Sequence, residues 1–322
     1  MKKLILLFTC FYFSLFSYSI VFVHIGKEIP SYLKESVEQA RLFNPHADIY
    51  VIGGHKMIKK FFRKYDKTNL HLVYLENLSK LPTHQNFLQK FSLHKIYNQK
   101  LWKVSLERFF YLSSFLKEKN LQDVFHLEND VMLYSDLSTY LKTFHEKYPF
   151  LGGTLDNDER CIAGFIYIPN QECISSLTDY IANHAQENLC DMEFLAKFYK
   201  ETKRLVPLPV IPASYCLDYP LKSLINLTTK NPEIFSQNIE LFDSIFDAAA
   251  LGQYLGGKDP RYHKKLEIGF VNERALFNPS FFTYVWKKDE LGRKVPYIQF
   301  KDKTYRINNL HIHSKRLKDF RS

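Results

Sequence analysis

Two carboxylates separated by one residue give the clearest chemical signal in the sequence. Glu128 and Asp130, on either side of Asn129, directly follow the apolar run at residues 124–127. At the end of a buried strand, two such carboxylates can converge on one hard divalent cation. That cation could hold a diphosphate and neutralise the charge that develops as a sugar leaves it. A solvated acidic turn would show the same short pattern, but flanking apolar residues favour a functional site, because ionised groups beside a core are costly unless compensated.

A second group of candidate ligands lies near the C-terminus, at residues 308–315. Strand alternation would place His311 and His313 on one face. We predict that His313 is a metal ligand. His311 is predicted to hold His313 in position without binding the metal itself. Lys315 is predicted to meet phosphate oxygens of a nucleotide. The alternative is that one histidine is a hydrogen-bonded core residue and that Lys315 is a surface charge.

Four further residues are candidates for catalysis or nucleotide binding. Asp247 opens a helix-like segment rich in small residues, where it would either cap the helix or serve the acceptor as a hydrogen-bond acceptor or general base. Arg108 could reach a diphosphate or a sugar hydroxyl from its helix, or form a structural ion pair. His24 and Gly26 follow the first strand and are predicted to approach the nucleotide, since glycine permits close backbone contact. A simple strand-to-loop transition would explain this last pair equally well.

Two weaker candidates have structural interpretations. Asp191, which follows Cys190, is predicted mainly to cap the start of a helix. The aromatic residues Phe282, Tyr284 and Trp286 could form a platform for a sugar ring, although most aromatics in so aromatic a chain belong to the core.

The elements that must position these residues alternate in type. Short apolar runs predict strands and amphipathic segments predict helices. Strands are predicted at residues 21–26, 48–53, 70–74, 124–127, 131–133, 164–168, 296–300 and 309–313, and helices at residues 31–43, 56–65, 87–119, 173–184, 191–200 and 246–255. Strands that alternate with helices favour an α/β fold with a largely parallel sheet.

In these residues the chain resembles the GT-A glycosyltransferases. In that family a D-x-D or E-x-D element ends a core strand, and a C-terminal histidine often joins the metal. The resemblance extends from about Ile20 over nearly the whole chain, and includes the Arg108 helix and the strand that begins near Ala163. It implies an α/β, Rossmann-like GT-A fold with a mixed, mainly parallel central sheet flanked by helices.

The resemblance also implies a reaction and a set of ligands. A monosaccharide would move from a nucleoside diphosphate sugar to a carbohydrate or glycoconjugate acceptor with the help of Mn²⁺ or Mg²⁺. Asp130 would be the principal metal ligand, Glu128 a ribose or metal contact, and His313 the distal ligand. The first acidic position is glutamate rather than aspartate, which leaves the subfamily open.

Two other functions are compatible with these residues. A nucleotidyltransferase could use the same metal and the same sheet edge, although the sequence has no G-x-x-x-x-G-K-[ST] phosphate loop. A non-catalytic carbohydrate-binding protein on a transferase-like fold is the second alternative.

Composition narrows the classes of protein and partner. The chain has 322 residues, of which 46% are hydrophobic and 16% aromatic, so it can bury a large core. No linker-like composition divides it, and residues 20–322 are predicted to form one domain. The net charge of +10 favours anionic partners. Nucleic acid is the least favoured of these, because the sequence has no arginine-rich arm and no zinc-finger spacing.

The first 19 residues have the pattern of a signal peptide or a short membrane anchor. Lys2 and Lys3 precede an apolar run that ends at the small-x-small pattern of Ser17 and Ser19. This predicts a secreted, periplasmic or membrane-associated protein. Four cysteines follow this segment, and they could form disulfides or remain buried free thiols: Cys161, Cys173, Cys190 and Cys216.

Overall fold

The computed structural model describes residues 17–63, 68–91, 99–259 and 267–322. The strands are β1 (Ser19–Val23), β2 (Asp48–Gly53), β3 (Leu70–Tyr74), β4 (Val124–Leu127), β5 (Val131–Leu133), β6 (Leu151–Asn157), β7 (Arg160–Ile168), β8 (Leu205–Pro207), β9 (Ser244–Ile245), β10 (Thr283–Lys288), β11 (Lys294–Phe300), β12 (Lys303–Ile307) and β13 (Asn309–His311). The α-helices are α1 (Tyr32–Phe43), α2 (His55–Phe61), α3 (Pro82–Lys90), α4 (Gln99–Lys119), α5 (Leu141–Lys147), α6 (Gln171–Asn183), α7 (Asp191–Thr202), α8 (Tyr215–Asp218), α9 (Ile239–Phe242) and α10 (Ala250–Gly256).

A seven-stranded sheet forms the centre of the molecule, in the order β3-β2-β1-β4-β7-β6-β8. Every neighbouring pair is parallel except those made by β7, which is antiparallel to β4 and to β6. This topology confirms the predicted α/β, Rossmann-like fold with a mixed, mainly parallel sheet. All five residues of β1 are buried, as its uninterrupted apolar sequence requires of a parallel strand covered on both faces.

Helices cover both faces of this sheet. Alternate residues of β1 enter different cores, with Val21 and Val23 on one face and Ile20 and Phe22 on the other. The first face packs mainly against α4, α6 and α7, and the second mainly against α1 and α5. The sheet is therefore a rigid layer whose strand ends can hold side chains in fixed positions.

Two smaller sheets complete the fold, in the orders β10-β11-β12-β9 and β13-β5. The pairing of β13 with β5 is antiparallel and aligns His311 with Val131 and Leu310 with Met132. This pairing carries the C-terminal histidines to the acidic motif, which lies immediately before β5.

The predicted helices are found with shifted bounds. The segment predicted as one long helix at residues 87–119 contains the end of α3 and all of α4, while residues 92–98 lie outside the described chain. The helix predicted at residues 246–255 begins only at Ala250, so Asp247 precedes it. The strand predicted at residues 309–313 ends at His311.

The N-terminal segment was predicted as a signal peptide or anchor, and residues 1–16 of it lie outside the described chain. Ser19 is the first residue of β1, and the buried Tyr18 donates a hydrogen bond of 2.9 Å to Asn44 Oδ1. Tyr18 and Ser19 thus belong to the folded domain. Within the described ranges, no helix is both long enough and apolar enough to cross a membrane.

The cysteines are unpaired, and the aromatic residues Phe282, Tyr284 and Trp286 pack within the protein. The four described cysteines are free thiols. Phe282 is buried in the core, while Tyr284 stacks on Tyr254 with ring centroids 5.4 Å apart and Trp286 lies against Tyr134. These rings pack against the protein itself.

Candidate active site

The acidic motif forms a tight turn between β4 and β5. The backbone N–H of Glu128 donates to Gly164 O on β7 at 3.1 Å, and the N–H of Val131 returns to Glu128 O at 3.2 Å. Asn129 O accepts a hydrogen bond of 2.7 Å from Ser36 Oγ on α1. The turn is thereby fixed at the carboxyl end of a central strand, the edge at which parallel α/β sheets bind ligands.

Glu128, Asp130 and His311 form a group that could hold a metal ion. One ligand atom from each residue lies within 4.8 Å of the other two. His311 Nε2 is 3.0 Å from Glu128 Oε2 and 3.2 Å from Asp130 Oδ1. Two carboxylate oxygens and one imidazole nitrogen form a donor set that Mn²⁺ accepts readily and Mg²⁺ can also use.

His313, the histidine predicted as the ligand, lies beside this group but is not part of it. Its ring centroid is 4.4 Å from that of His311. Its Nδ1 is 2.8 Å from Gln253 Nε2, while its buried Nε2 has no hydrogen-bond partner. Burial lowers the pKa of His313 to about 3, and the neighbouring charge of His311 acts in the same direction. The ring is therefore neutral, which is the form that can ligate a cation.

The acidic and basic side chains of this group stabilise one another's charges. Burial alone would raise the pKa of both carboxyl groups. The nearby Arg108 nevertheless lowers the pKa of Glu128, and the nearby Lys315 lowers the pKa of Asp130. Burial alone would lower the pKa of His311. The negative charges of Asp130 and Glu128 have the larger effect and raise the pKa of the imidazole to about 10. All of these side chains are consequently ionised at neutral pH.

Arg108 lies between two carboxylates, one of which belongs to the acidic motif. One guanidinium nitrogen contacts Glu128 Oε1, and Nη2 donates to Asp191 Oδ2 at 2.5 Å. Its sequence neighbour Glu107 pairs instead with His84, at 3.0 Å. The ion-pair interpretation therefore describes Arg108, and it places the guanidinium in direct contact with the motif.

Asp191 was expected mainly to cap α7, and the structure gives its side chain a different position. Cys190 and Glu193 form the capping interactions of that helix. Asp191 is buried, pairs with Arg108 through Oδ2, and has no hydrogen-bond partner at Oδ1. Burial raises its pKa, although Arg108 opposes the shift. Its acidic type at a helix start was the only sequence signal, because 83 residues separate it from Arg108.

Lys315 is directed back at the motif by an unusual backbone conformation. Its φ is +63°, and its N–H donates to Ile312 O at 3.0 Å to close a turn. The ammonium contacts Asp130 Oδ2 and lies 3.8 Å from Asp259 Oδ2. Lys315, which was predicted to bind phosphate, thus lies in the site and pairs with Asp130.

Asp247 is fully buried and accepts hydrogen bonds from three backbone N–H groups. Leu251 donates to Oδ1, while Gly252 and His311 donate to Oδ2, each at 2.9 Å. Burial raises its pKa to about 6, and these donors oppose the shift. The hydrogen bonds from Leu251 and Gly252 favour the capping interpretation. The hydrogen bond from His311 also ties Asp247 to the backbone of that histidine.

His24 and Gly26 lie in the loop that follows β1. His24 Nε2 is 2.7 Å from Glu28 O, and its Nδ1 is 3.2 Å from Asn129 Nδ2. A Cβ added at Gly26 would lie 2.8 Å from His24 Nε2, so a side chain at this position would have to shift the His24 imidazole. Of the two residues predicted to contact the nucleotide, His24 therefore lies against the acidic motif, and Gly26 lies beside the His24 ring.

Comparisons with known proteins find similarity in structure only. No family model and no curated protein matches the sequence. The chain is similar to mouse xyloside xylosyltransferase 1, apo form, with 11% identity, 62% of this chain and 90% of that chain covered, and a TM-score of 0.44. It is also similar to the galactosyltransferase LgtC in complex with donor and acceptor sugar analogs, with 13% identity, 67% and 81% covered, and a TM-score of 0.43.

A cytidylyltransferase from Leptospira borgpetersenii is similar too, with 10% identity, 60% of this chain and 76% of that chain covered, and a TM-score of 0.36. The similar solved structures thus include several GT-A glycosyltransferases and one nucleotidyltransferase.

Proposed function

We propose that the protein is a metal-dependent glycosyltransferase that moves a monosaccharide from a nucleoside diphosphate sugar to a carbohydrate or glycoconjugate acceptor. One observation carries the proposal: Glu128, Asp130 and His311 converge within 4.8 Å at the carboxyl end of a central strand. Buried carboxylates are costly unless a cation compensates them. A site built this way suits a cation that in turn binds an anionic substrate.

The residues present fit Mn²⁺ or Mg²⁺. Glu128, Asp130 and His311 would hold the ion, with the unpartnered Nε2 of His313 available nearby. When bound, the ion would neutralise negative charge on the departing diphosphate. Lys315 would add a positive charge for the phosphates.

The nucleotide and the sugar would contact different residues around the acidic motif. The loop with His24 and Gly26 contacts the motif through Asn129, and Gly26 offers backbone without a side chain in the way. Asp191 is linked to the motif through Arg108, its buried Oδ1 has no hydrogen-bond partner, and a carboxylate oxygen is a strong acceptor for a sugar hydroxyl.

Product analysis tests this function directly. Purified protein would be incubated with a panel of nucleoside diphosphate sugars, with Mn²⁺ or with EDTA. Release of nucleoside diphosphate that depends on Mn²⁺ is expected. Asp130→Asn should lower the rate on the order of 100-fold or more, because charge stabilisation at the leaving group is lost. Asp302→Asn changes an exposed aspartate by the same atoms and should leave the rate unchanged.

Three outcomes would contradict the proposal in different ways. Full activity of Asp130→Asn would show that the site is assigned wrongly. Release of pyrophosphate from nucleoside triphosphates would favour nucleotidyl transfer. Calorimetry that showed sugar binding without dependence on nucleotide or metal would favour a non-catalytic binding protein.

A further inference from the structure

Several large apolar side chains are exposed where α8, the loop after it and the segment before β10 meet. Leu217 is 81% exposed and Leu224 is 63% exposed. Single exposed apolar residues are ordinary on a protein surface, but a contiguous group of them marks a site of interaction. We call this group the exposed apolar surface, and its members are Leu217, Tyr219, Leu224, Ile225 and Phe281.

Contacts between the chain segments hold this surface together. The rings of Tyr219 and Phe281 stack, with their centroids 4.4 Å apart. The backbone N–H of Ile225 donates to Glu273 O at 3.3 Å, in the segment that leads to Phe281. The exposed side chains thus come from segments that are distant in sequence and packed against each other.

A tight hairpin at residues 222–228 presents Leu224 and Ile225 at its tip. The two ends of the hairpin are paired, and a backbone hydrogen bond of 3.0 Å closes its turn. Leu221 and Leu227, on either side of the tip, pack against the core. Because the tip is already ordered, its burial in a partner costs little conformational entropy.

Basic side chains lie around the exposed apolar surface. Lys222 and Lys230 are exposed on the hairpin and just after it, and Lys303 is exposed in the adjoining turn between β11 and β12. In the same turn, Lys301 lies 2.7 Å from Asp218 of α8 and neutralises its charge. Across residues 215–231, 272–282 and 299–304, the five basic residues outnumber the three acidic ones, which are Asp218, Glu273 and Asp302.

This combination fits an anionic lipid surface better than a second copy of the chain. In a symmetric dimer the same surface meets itself, so its lysines would face like charges. At an anionic bilayer the lysines meet lipid headgroups, while apolar side chains enter the boundary between headgroups and acyl chains.

We propose that the exposed apolar surface docks the protein on anionic membranes. The aliphatic side chains of Leu217, Leu224 and Ile225 enter the headgroup boundary, and Lys222 and Lys230 contact lipid phosphates. This interaction is independent of the reaction proposed above, and its test requires neither nucleotide nor metal.

Docking in this way would hold the candidate active site close to the membrane. Glu273, which accepts the hydrogen bond from Ile225, directly follows Asn272. Asn272 donates to Gln253 Oε1 at 3.0 Å, and Gln253 Nε2 is 2.8 Å from His313 Nδ1. A short chain of hydrogen-bonded residues therefore joins the surface to the wall of the site.

Cosedimentation of the full chain with vesicles tests the apolar contacts. The vesicles would contain phosphatidylcholine alone, or equal parts of phosphatidylcholine and phosphatidylglycerol. The wild type is expected to bind the mixed vesicles, and the double variant Leu224→Ser with Ile225→Ser to bind them about 10–100-fold more weakly. Leu291→Ser is the matched control, because Leu291 is 76% exposed in the turn between β10 and β11, away from Phe281. It should bind as the wild type does.

Charge variants test the basic contacts in the same assay. Lys222→Gln with Lys230→Gln should weaken binding to the mixed vesicles by about tenfold or more, because each lysine near an anionic surface contributes to attraction. Lys318→Gln makes the same change of type at an exposed position outside the surface and should have no effect. Equal binding of the wild type to both kinds of vesicle would refute the role of the lysines.

A fluorescence measurement reports insertion of the hairpin tip directly. Leu224→Trp adds a tryptophan at the tip, and brominated phosphatidylcholine in the mixed vesicles is expected to quench it. Leu291→Trp is the control and should not be quenched beyond the level of Trp102 and Trp286, which both variants retain. The apolar N-terminal residues are also identical in the two proteins, so a difference in quenching reports the tip alone.

The remaining outcomes are equally decisive. Absence of wild-type binding, or equal quenching of the two tryptophan variants, would refute the docking surface. If the double serine variant bound vesicles normally but abolished self-association of the wild type, the surface would be an interface between copies instead. Should the double serine variant fail to fold, Leu217→Ser on α8 serves in its place, and unchanged binding by that folded variant would overturn the proposal.

Discussion

The guanidinium of Arg108 on α4 and the carboxylate of Asp191 at the start of α7 form a buried ion pair, with Nη2 2.5 Å from Oδ2. The same guanidinium contacts Glu128. Arg108 therefore links a helix on one face of the sheet to the acidic motif at its edge. Because this pair is buried, it stabilises the fold as well as setting the charge at the site.

Removal of the Arg108 charge should destabilise the fold. Arg108→Met leaves two buried carboxylates without their cation, and we expect a loss of about 3–5 kcal/mol in the free energy of unfolding. Urea denaturation measures this loss. Arg63→Met at an exposed position is the matched control and should change stability by less than about 0.5 kcal/mol. The double variant Arg108→Met with Asp191→Asn should lose less than the single variants predict together. Simple additivity would contradict the ion pair.

Gly164 is predicted to keep space for His311. A Cβ at Gly164 would lie 2.8 Å from His311 Nδ1, so Gly164→Ala must displace the imidazole from the two carboxylates. We expect Mn²⁺ affinity to fall by about 10–100-fold, as happens when residues that position a ligand are changed. Calorimetry measures this effect.

A second glycine provides the control for Gly164→Ala. At Gly153 on β6 a Cβ would lie 3.0 Å from Cys161 Sγ and 3.3 Å from Ile166 Cδ1, so crowding is similar but falls away from the metal group. Gly153→Ala should leave Mn²⁺ affinity unchanged. Equal losses in the two variants would mean that general crowding, and not the position of His311, determines the affinity.

Asp156 should make the protein less stable as pH rises. Its carboxylate is fully buried, and burial raises its pKa to about 6, although Arg160, with Nη1 3.1 Å from Oδ2, and Arg274 oppose the shift. The folded state therefore holds the proton more tightly than the unfolded state, whose carboxyl has the ordinary pKa of 3.8. Stability falls as pH rises from about 4 to about 6, and the full penalty remains above about 6.

Asp156→Asn removes this penalty. At pH 7.5 the variant is expected to be more stable than the wild type by about 1–3 kcal/mol, and the difference should shrink toward zero near pH 4. Urea denaturation at both pH values measures it, with the exposed Asp302→Asn as the control that shows no such trend. A destabilised Asp156→Asn at pH 7.5 would show that the ion pair with Arg160 outweighs burial.

The sequence predicted the parts of the fold that depend on local patterns. Alternation of apolar runs and amphipathic helices was enough to predict the mainly parallel sheet, because buried parallel strands are continuously apolar. The position of the acidic motif followed from the apolar strand directly before it. Bounds were less accurate where a turn decides them, as at Asp247, which lies three residues before α10.

The geometry of the site depends on contacts that no local pattern encodes. Strand alternation treats His311 and His313 alike, and only the end of β13 at His311 and the turn before Lys315 separate them. The pairing of Arg108 with Asp191 requires α4 and α7 to pack on the same face of the sheet. Neither relationship can be deduced without the tertiary structure.

Asp247 tests whether a buried carboxylate near the site acts in catalysis or in positioning. Its two oxygens accept three backbone N–H groups, including that of His311. In Asp247→Asn an NH₂ group would face N–H donors, and we expect a loss of about 2–4 kcal/mol in the free energy of unfolding, since buried donors lose their partners. Mn²⁺ affinity and transfer rate should fall together in the folded fraction, because His311 is no longer held.

A general base would behave differently. If Asp247 removed a proton from the acceptor, Asp247→Asn would lose transfer while Mn²⁺ affinity and stability stayed near wild type. The exposed Asp243, four residues earlier, is the matched control, and Asp243→Asn should leave all three quantities unchanged because asparagine tolerates its left-handed backbone conformation. Calorimetry, urea denaturation and release of nucleoside diphosphate, measured on the same preparations, therefore distinguish a residue that holds the metal ligand from one that reacts.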